Sequence, residues 1–352
     1  MRYANVAIQS FGHELPPRVV SSADLEAQLG PLYSRLKLAP GRIEMISGVR
    51  ERRFWEPGTR PSAVSARTAR AALQAAGVEP DQVGALLHTS VCRDFLEPAT
   101  ASVVAGALEL PREAMVFDIS NACLGFLNGL VTVANMIELG QIQAGVVVAT
   151  EAGEALVDAT VADLNARSRN GIDRRKLKPS FASLTIGSGS VAAVLVHASL
   201  ARPGSARLLG GAFAQATEHN ALCRSAPDRG FASGAHPLME TDAEAVLKNG
   251  CTLARATWEG FKRELGWTDE TPNRIFCHQV GTSHRRALFE ALGLEVDEAF
   301  PTVEWLGNIG SVSLPLGLAL AADDGRLAAG DRLALLGIGS GLNCMMLAAE
   351  WT

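Results

Sequence analysis

Hydrophobic and polar positions along the chain switch between two periods. Short apolar runs at Val6 to Gln9, Ala85 to Thr89, Met115 to Ile119, Gly145 to Thr150 and Val191 to Val196 have the length and branched content of buried strands. Between them lie stretches with helical spacing, such as SSADLEAQLG and SAVSARTARAALQAAG. Strand and helix therefore take turns, as in an α/β fold. The stretch from Ala198 to Gly210 holds Pro203 and Gly204 and predicts a connection between two halves. A second series follows: a strand near Gly211 to Ala216, a long helix from Asp242 to Leu265, a strand at Arg274 to Cys277, a helix after Ser283 and a final pair of strands.

The two series share letters. TIGSGSVAAVLV starts at Thr185 and GIGSGLNCMMLA at Gly337, and both read Ile-Gly-Ser-Gly before a small apolar run. A similar shift carries AMVFDISNACLGF, from Ala114, close to NRIFCHQVGTSHR, from Asn273, which predicts an internal duplication. In open α/β sheets ligands gather beyond the carboxyl ends of strands. Cys123 and His278 are both expected at such ends.

Composition narrows the class. A chain of 352 residues with 47% apolar and 20% charged positions has the makings of a large folded core. Its formal charge of -5 argues against a general nucleic-acid binder, which needs a concentrated surplus of Lys and Arg. The basic segment RNGIDRRKLK, Arg169 to Lys178, is broken by Asp173 and reads as a solvated loop. The N-terminus lacks the apolar core of a secretory signal and no stretch is clean enough to span a bilayer, so a cytoplasmic location is expected. Six cysteines without CxxC or zinc spacing are expected to be free thiols, with no metal bound.

One of those cysteines stands apart. Cys123 follows DISNA, where the apolar strand gives way to the helical spacing of Leu124, Leu127, Leu130 and Val131. Unpaired N–H groups at a helix N-terminus favour a thiolate, so Cys123 is the expected nucleophile. Cys92, Cys223, Cys251, Cys277 and Cys344 lack that setting and read as small hydrophobes. His278, in RIFCHQVG, directly follows a strand, and Asn308, in GNIGSVSLPLG, sits in a Gly-rich turn before an apolar helix. A thiol nucleophile needs an imidazole partner and a developing oxyanion needs fixed donors, which makes Cys, His and Asn a candidate site. His284 competes for the imidazole role, but it falls on the following helix, where a surface position is expected. Thiol proteases use the same three residue types, yet SNACLGF lacks the Cys-Gly-Ser-Cys-Trp surroundings of that class.

Together DISNACLGF, HQVG, GNIGSVSLP and LLGIGSGLN resemble the thiolase-fold condensing enzymes, specifically the ketosynthase III group, over nearly the whole chain. The resemblance implies an α/β thiolase fold whose duplicated βαβ halves form a five-layer α-β-α-β-α architecture. Residues 1–200 would form the half with Cys123 and an insertion near 155–181, and residues 201–352 the half with His278 and Asn308. HTSVCRDFLEPATASVVAG, from His88 to Gly106, and ISGVRERRFW are similar to the OleA-type enzymes of that group, which join two fatty acyl-CoA molecules head to head.

This narrower resemblance implies a non-decarboxylative Claisen condensation of two long-chain acyl-CoA molecules. The β-ketoacyl product, hydrolysed to a β-keto acid, would lead to an olefin or β-lactone. Cys123 would carry the first acyl group, and His278 and Asn308 would donate to the enolate oxygen of the second. Glu97 would reach into the partner subunit's site of an obligate homodimer and take the α-proton. The backbone N–H groups of Cys123 and Ser340 would bind the oxyanion. No cofactor is implied beyond the coenzyme A thioesters that serve as substrates. Chemistry supports the glutamate, because an unactivated thioester must lose a proton to a base whereas loss of CO2 from malonyl carrier protein requires none. A decarboxylative ketosynthase III is one alternative; a non-catalytic partner subunit of a condensing heterodimer is the other. GNIGSVS departs from the Gly-Asn-Thr-Ser-Ala-Ala-Ser of the wider group but retains Asn308.

Overall fold

The apolar runs become strands of one mixed sheet in a computed structural model that describes residues 1–169, 171, 173–225, 237–295 and 300–352. Among the described residues this sheet has nine strands: β1 (Val6–Glu14), β2 (Ala85–His88), β3 (Met115–Asp118), β4 (Ala144–Glu151), β5 (Gly189–His197), β6 (Ala206–Gln215), β7 (Arg274–Cys277), β8 (Arg332–Gly339) and β9 (Asn343–Trp351). The seven principal helices are α1 (Pro61–Ala76), α2 (Thr100–Ala107), α3 (Gly125–Glu138), α4 (Glu154–Arg169), α5 (Ala243–Leu265), α6 (Thr282–Leu292) and α7 (Ser313–Asp323). The expected connection from Ala198 to Gly210 is shorter than its composition suggested, because β6 begins at Ala206. Pro203 and Gly204 shape only its first part.

Sheet order is β7-β8-β9-β6-β1-β5-β4-β2-β3. Outward from the seam where β1 meets β6, the first side runs β1-β5-β4 antiparallel and then β4-β2-β3 parallel. The second side repeats this plan, with β6-β9-β8 antiparallel and β8-β7 parallel. The strands after the two Ile-Gly-Ser-Gly stretches, β5 and β9, hold matching places. The other sequence match does not survive: β7 takes the place of β2, not of β3. Short apolar strands ending in a reactive residue look alike in sequence, and only sheet order tells them apart. The counterpart of the Cys123 turn is the Asn308 turn, since each leads through a short 3-10 turn (Ala122–Leu124 and Gly310–Val312) into a central helix, α3 or α7.

Side chains alternate along each strand, so a strand buried on both faces reads as continuously apolar. Val147 and Leu195 face inward with Leu127 and Leu130 of α3 and Leu316 and Leu318 of α7, alongside Leu335 and Leu347 from the second half. Val146 and Val194 face outward against Ala69 and Leu73 of α1 and Val104 of α2. On the far side, Leu336 and Met346 meet Trp258 and Phe261 of α5 and Phe289 of α6. The two halves of the one sheet therefore lie on either side of α3 and α7, and the layers run helix, half-sheet, helix, half-sheet, helix. In the expected insertion, α4 buries Val157, Val161 and Leu164 against Leu25, Leu29 and Leu32 in a satellite cluster. The basic segment is more ordered than a solvated loop: Asp173 caps the helix Arg174–Leu177, and Arg174 donates to the carbonyls of Leu36 and Lys37. Its positions 170 and 172 lie outside the described residues. No described helix is long and apolar enough to cross a membrane.

Candidate active site

The chain leaves β3 at Asp118, whose carboxylate accepts from the N–H groups of Thr100 and Ala101 at 2.8 Å each and so caps α2. It then turns through Ala122, a non-glycine at φ 45°, immediately before Cys123. Left-handed backbone costs an ordinary residue roughly 1–2 kcal/mol, and that strain sits beside the candidate nucleophile. The C-terminal turn carrying Ser340 closes over the same backbone, for a Cβ added to Gly339 would lie 3.6 Å from the Cys123 nitrogen. Amide side chains fasten the two turns. Asn343 Nδ2 donates to the Ser340 carbonyl at 3.3 Å and to Asn121 Oδ1 at 3.4 Å, while Asn121 Nδ2 donates to Asn128 Oδ1 at 2.8 Å.

From the other half, the Asn308 turn packs against the Cys123 turn. The Asn308 N–H donates to the Thr185 carbonyl at 2.8 Å, and its own carbonyl accepts from Gly187 N–H at 2.9 Å. Gly307 makes this possible: at φ 69°, with a Cβ that would meet the Thr185 oxygen at 2.4 Å, the position excludes any side chain. Asn308 Oδ1 accepts from Gly310 N–H at 3.0 Å, so the Nδ2 end is the one left to donate.

His278 follows β7 directly, and its N–H donates to the Leu336 carbonyl of β8 at 3.0 Å. Both of its ring nitrogens are buried without a hydrogen-bond partner. Burial, reinforced by His284, pushes its pKa down to about 4, so the ring is neutral near pH 7. His284 itself lies on α6 as expected, but it is half-buried rather than on the surface, and burial lowers its pKa too.

The charge state of Cys123 corrects the sequence expectation. Burial, followed by Glu151 and then Cys223, pushes the thiol up to about 12, whereas its own backbone N–H acts in the opposite direction and is outweighed. The helix N-terminus was the only influence legible in sequence; desolvation and a buried carboxylate defeat it. The free site thus holds a neutral thiol and a neutral imidazole. All six cysteines are free, with Cys277 and Cys344 buried and the others partly so. Cys223 lies close enough to act on Cys123, and its sulfur meets Thr241 Oγ1 at 3.4 Å.

Glu151 escaped the sequence reading. It ends the valine-rich strand β4, is 5% exposed, and carries no motif around it. The one available signal was a carboxylate closing an otherwise apolar, fully buried strand. Glu97, by contrast, is exposed in the single chain. Its loop and the segments after it also expose Val91, Phe95, Leu96, Val103 and Met115, the last on β3 at the open edge of the described sheet.

Comparison with known proteins agrees with this architecture. Residues 56–202 match the family model of the thiolase N-terminal domain, and residues 263–351 match that of the 3-oxoacyl-[acyl-carrier-protein] synthase III C terminal. An acyl-CoA:acyl-CoA alkyltransferase of Shewanella oneidensis is 41% identical over the whole of both chains. One from Xanthomonas campestris is 35% identical, again over all of both. A crystal structure of Xanthomonas campestris OleA superposes with a TM-score of 0.92 at 34% identity, covering 100% of this chain and 98% of that one. The same protein has been solved with lauric acid and lauroyl-CoA bound, and with substitutions at a cysteine, a glutamate and a histidine.

Proposed function

This chain belongs to the OleA family of acyl-CoA:acyl-CoA alkyltransferases, thiolase-fold condensing enzymes, and we propose that it joins two long-chain acyl-CoA molecules by a non-decarboxylative Claisen condensation. What carries this reading over the decarboxylative alternative is likeness to such alkyltransferases along the entire chain.

Cys123 is the acyl acceptor. Its sulfur attacks the thioester carbonyl of the first acyl-CoA, the bond to the coenzyme A sulfur breaks, and the thiol proton leaves with the released CoA. With the thiol protonated in the free site, the thiolate would form only as substrate arrives, with neutral His278 as the proton acceptor. In the second stage Glu97 takes the α-proton of another acyl-CoA. The enolate oxygen is held by His278 and by Nδ2 of Asn308, whose Oδ1 is already tied to Gly310. The α-carbon attacks the Cys123 thioester, and the oxyanion is held by the backbone N–H groups of Cys123 and Ser340. Collapse expels the Cys123 sulfur, which recovers the proton held by Glu97, and frees the β-ketoacyl-CoA for hydrolysis to a β-keto acid.

Glu97 acts from the partner subunit of a homodimer. The exposure of its loop, the apolar residues around it and the open edge of β3 support that assembly. On the same reading, residues 1–200 and 201–352 are the two halves of a duplicated unit, each contributing one turn to the site. Incubation with myristoyl-CoA alone tests the reaction. Release of free CoA together with a β-keto acid, detected as the long-chain ketone left after heating, is the expected result. Strict dependence on malonyl carrier protein would establish the decarboxylative alternative instead.

A further inference from the structure

We propose that Glu151 is a positioning residue for the condensation step, one buried carboxylate that ties the loop leading to Glu97 to the turn bearing Asn308. The inference rests on the roles given above to those two residues. Glu151 Oε1 accepts from Val91 N–H at 3.1 Å, from Ser311 Oγ at 2.8 Å and from Ser311 N–H at 3.4 Å. Oε2 accepts from Cys92 N–H at 3.2 Å. Val91 and Cys92 open the loop that runs to Glu97, and Ser311 lies three residues beyond Asn308. The turn presses close, since a Cβ on Gly310 would stand 3.0 Å from Oε1.

A carboxylate out of water is costly unless its oxygens are fully engaged. Here no Lys or Arg forms an ion pair with it among the described residues, and neutral donors from two separate segments engage it instead. Bonds to an ionised acceptor are the stronger kind. The first segment is a loop and the second a 3-10 turn, and nothing in their own sequences sets the distance between them, although one leads to the glutamate given to the partner's site and the other to the amide of its own. The carboxylate supplies that constraint. It also acts on the thiol, as the second cause, after burial, of the high Cys123 pKa.

The test is Glu151→Gln, which keeps the size but puts an NH2 group where an acceptor is needed and removes the charge. Acylation of Cys123 by myristoyl-CoA, read by intact mass, should stay within about threefold of wild type, while condensation should fall by about ten- to a hundredfold, the range expected for misplaced groups. Alkylation of Cys123 by iodoacetamide at pH 8, mapped by peptide mass, should become several-fold faster. Ser311→Ala, a milder cut of one tie, should slow condensation by about two- to fivefold and leave alkylation unchanged because the carboxylate remains. Condensation at the wild-type rate in Glu151→Gln, equal loss of acylation and condensation, or unchanged alkylation would each overturn the proposal. A wild-type protein that accepts the acyl label and never condenses it would overturn the functional reading instead. The alkylation contrast between the two variants would still decide whether Glu151 governs Cys123.

Discussion

The turns before α3 and α7 occupy matching places in the two halves, yet on the proposed reading they do different work. The first leaves β3 and the second a short helix, Val303–Leu306, but each bends through a left-handed residue and enters a central helix by way of a 3-10 turn. On the first, Ala122 bends the chain and a thiol follows; on the second, Gly307 bends it and an amide follows. The thiol is held neutral by burial and by Glu151, whereas the amide is held in orientation by Gly310 N–H. The scaffold thus sets where a side chain stands, the residue type decides whether it could accept an acyl group or donate a hydrogen bond, and the local environment sets its charge or its orientation.

That distinction can be broken most directly by exchanging what the two turns lack. Cys123→Ala should abolish acyl-enzyme formation altogether, while Asn308→Ala should still accept the acyl group and lose condensation by about 100- to 1,000-fold, the usual effect of removing one preorganised donor. Intact mass and product assays separate the two; failure of Asn308→Ala to acylate would erase the difference between the turns.

Glu97→Gln should likewise acylate and then stall. Mixing it with Cys123→Ala before reassembly should restore activity, because a mixed dimer has one site with an intact thiol that receives an intact glutamate from the other subunit. Absence of any recovery would place the base in the same chain as the thiol.

A smaller effect concerns pH. With the Cys123 pKa near 12, its alkylation rate should keep climbing through pH 9 without levelling off; a plateau near 9 would mean that Glu151 and burial do not control it. For His278 the folded-state value of about 4 lies below the ordinary 6.5, so the unfolded chain binds the extra proton between these values. Stability should therefore fall as pH drops from 6.5 towards 4, a trend that chemical denaturation would detect and that His278→Asn should flatten. The smallest change expected is in Asp118→Ala. It removes the cap from α2 on the Cys123 side only and should cost about 1 kcal/mol in thermal melts with acylation retained.

Much of the fold was legible because strand periodicity is local. The runs that became β1 to β5 were identifiable, as were the long helix α5, the final strand pair and the Ile-Gly-Ser-Gly stretches before β5 and β9. The residues of the Cys123, His278 and Asn308 turns were recognisable for the same reason, each lying at an apolar-to-turn junction that sequence spacing reveals. The pairing of β3 with β7 as equivalent strands failed, since four-residue apolar segments carry too little information to identify a place in a sheet. Glu151 went unnoticed because its four donors come from residues 91, 92 and 311, which only the folded chain brings together.

By itself the sequence determined the order of strands and helices, the candidate nucleophile and its place at a helix start, all of which depend on neighbours a few residues apart. The tertiary structure alone decided that the thiol is neutral, that both His278 nitrogens wait without partners and that one carboxylate spans two loops. Ionisation follows from the loss of water and from charges brought near by folding, and neither quantity is a property of any short stretch of chain.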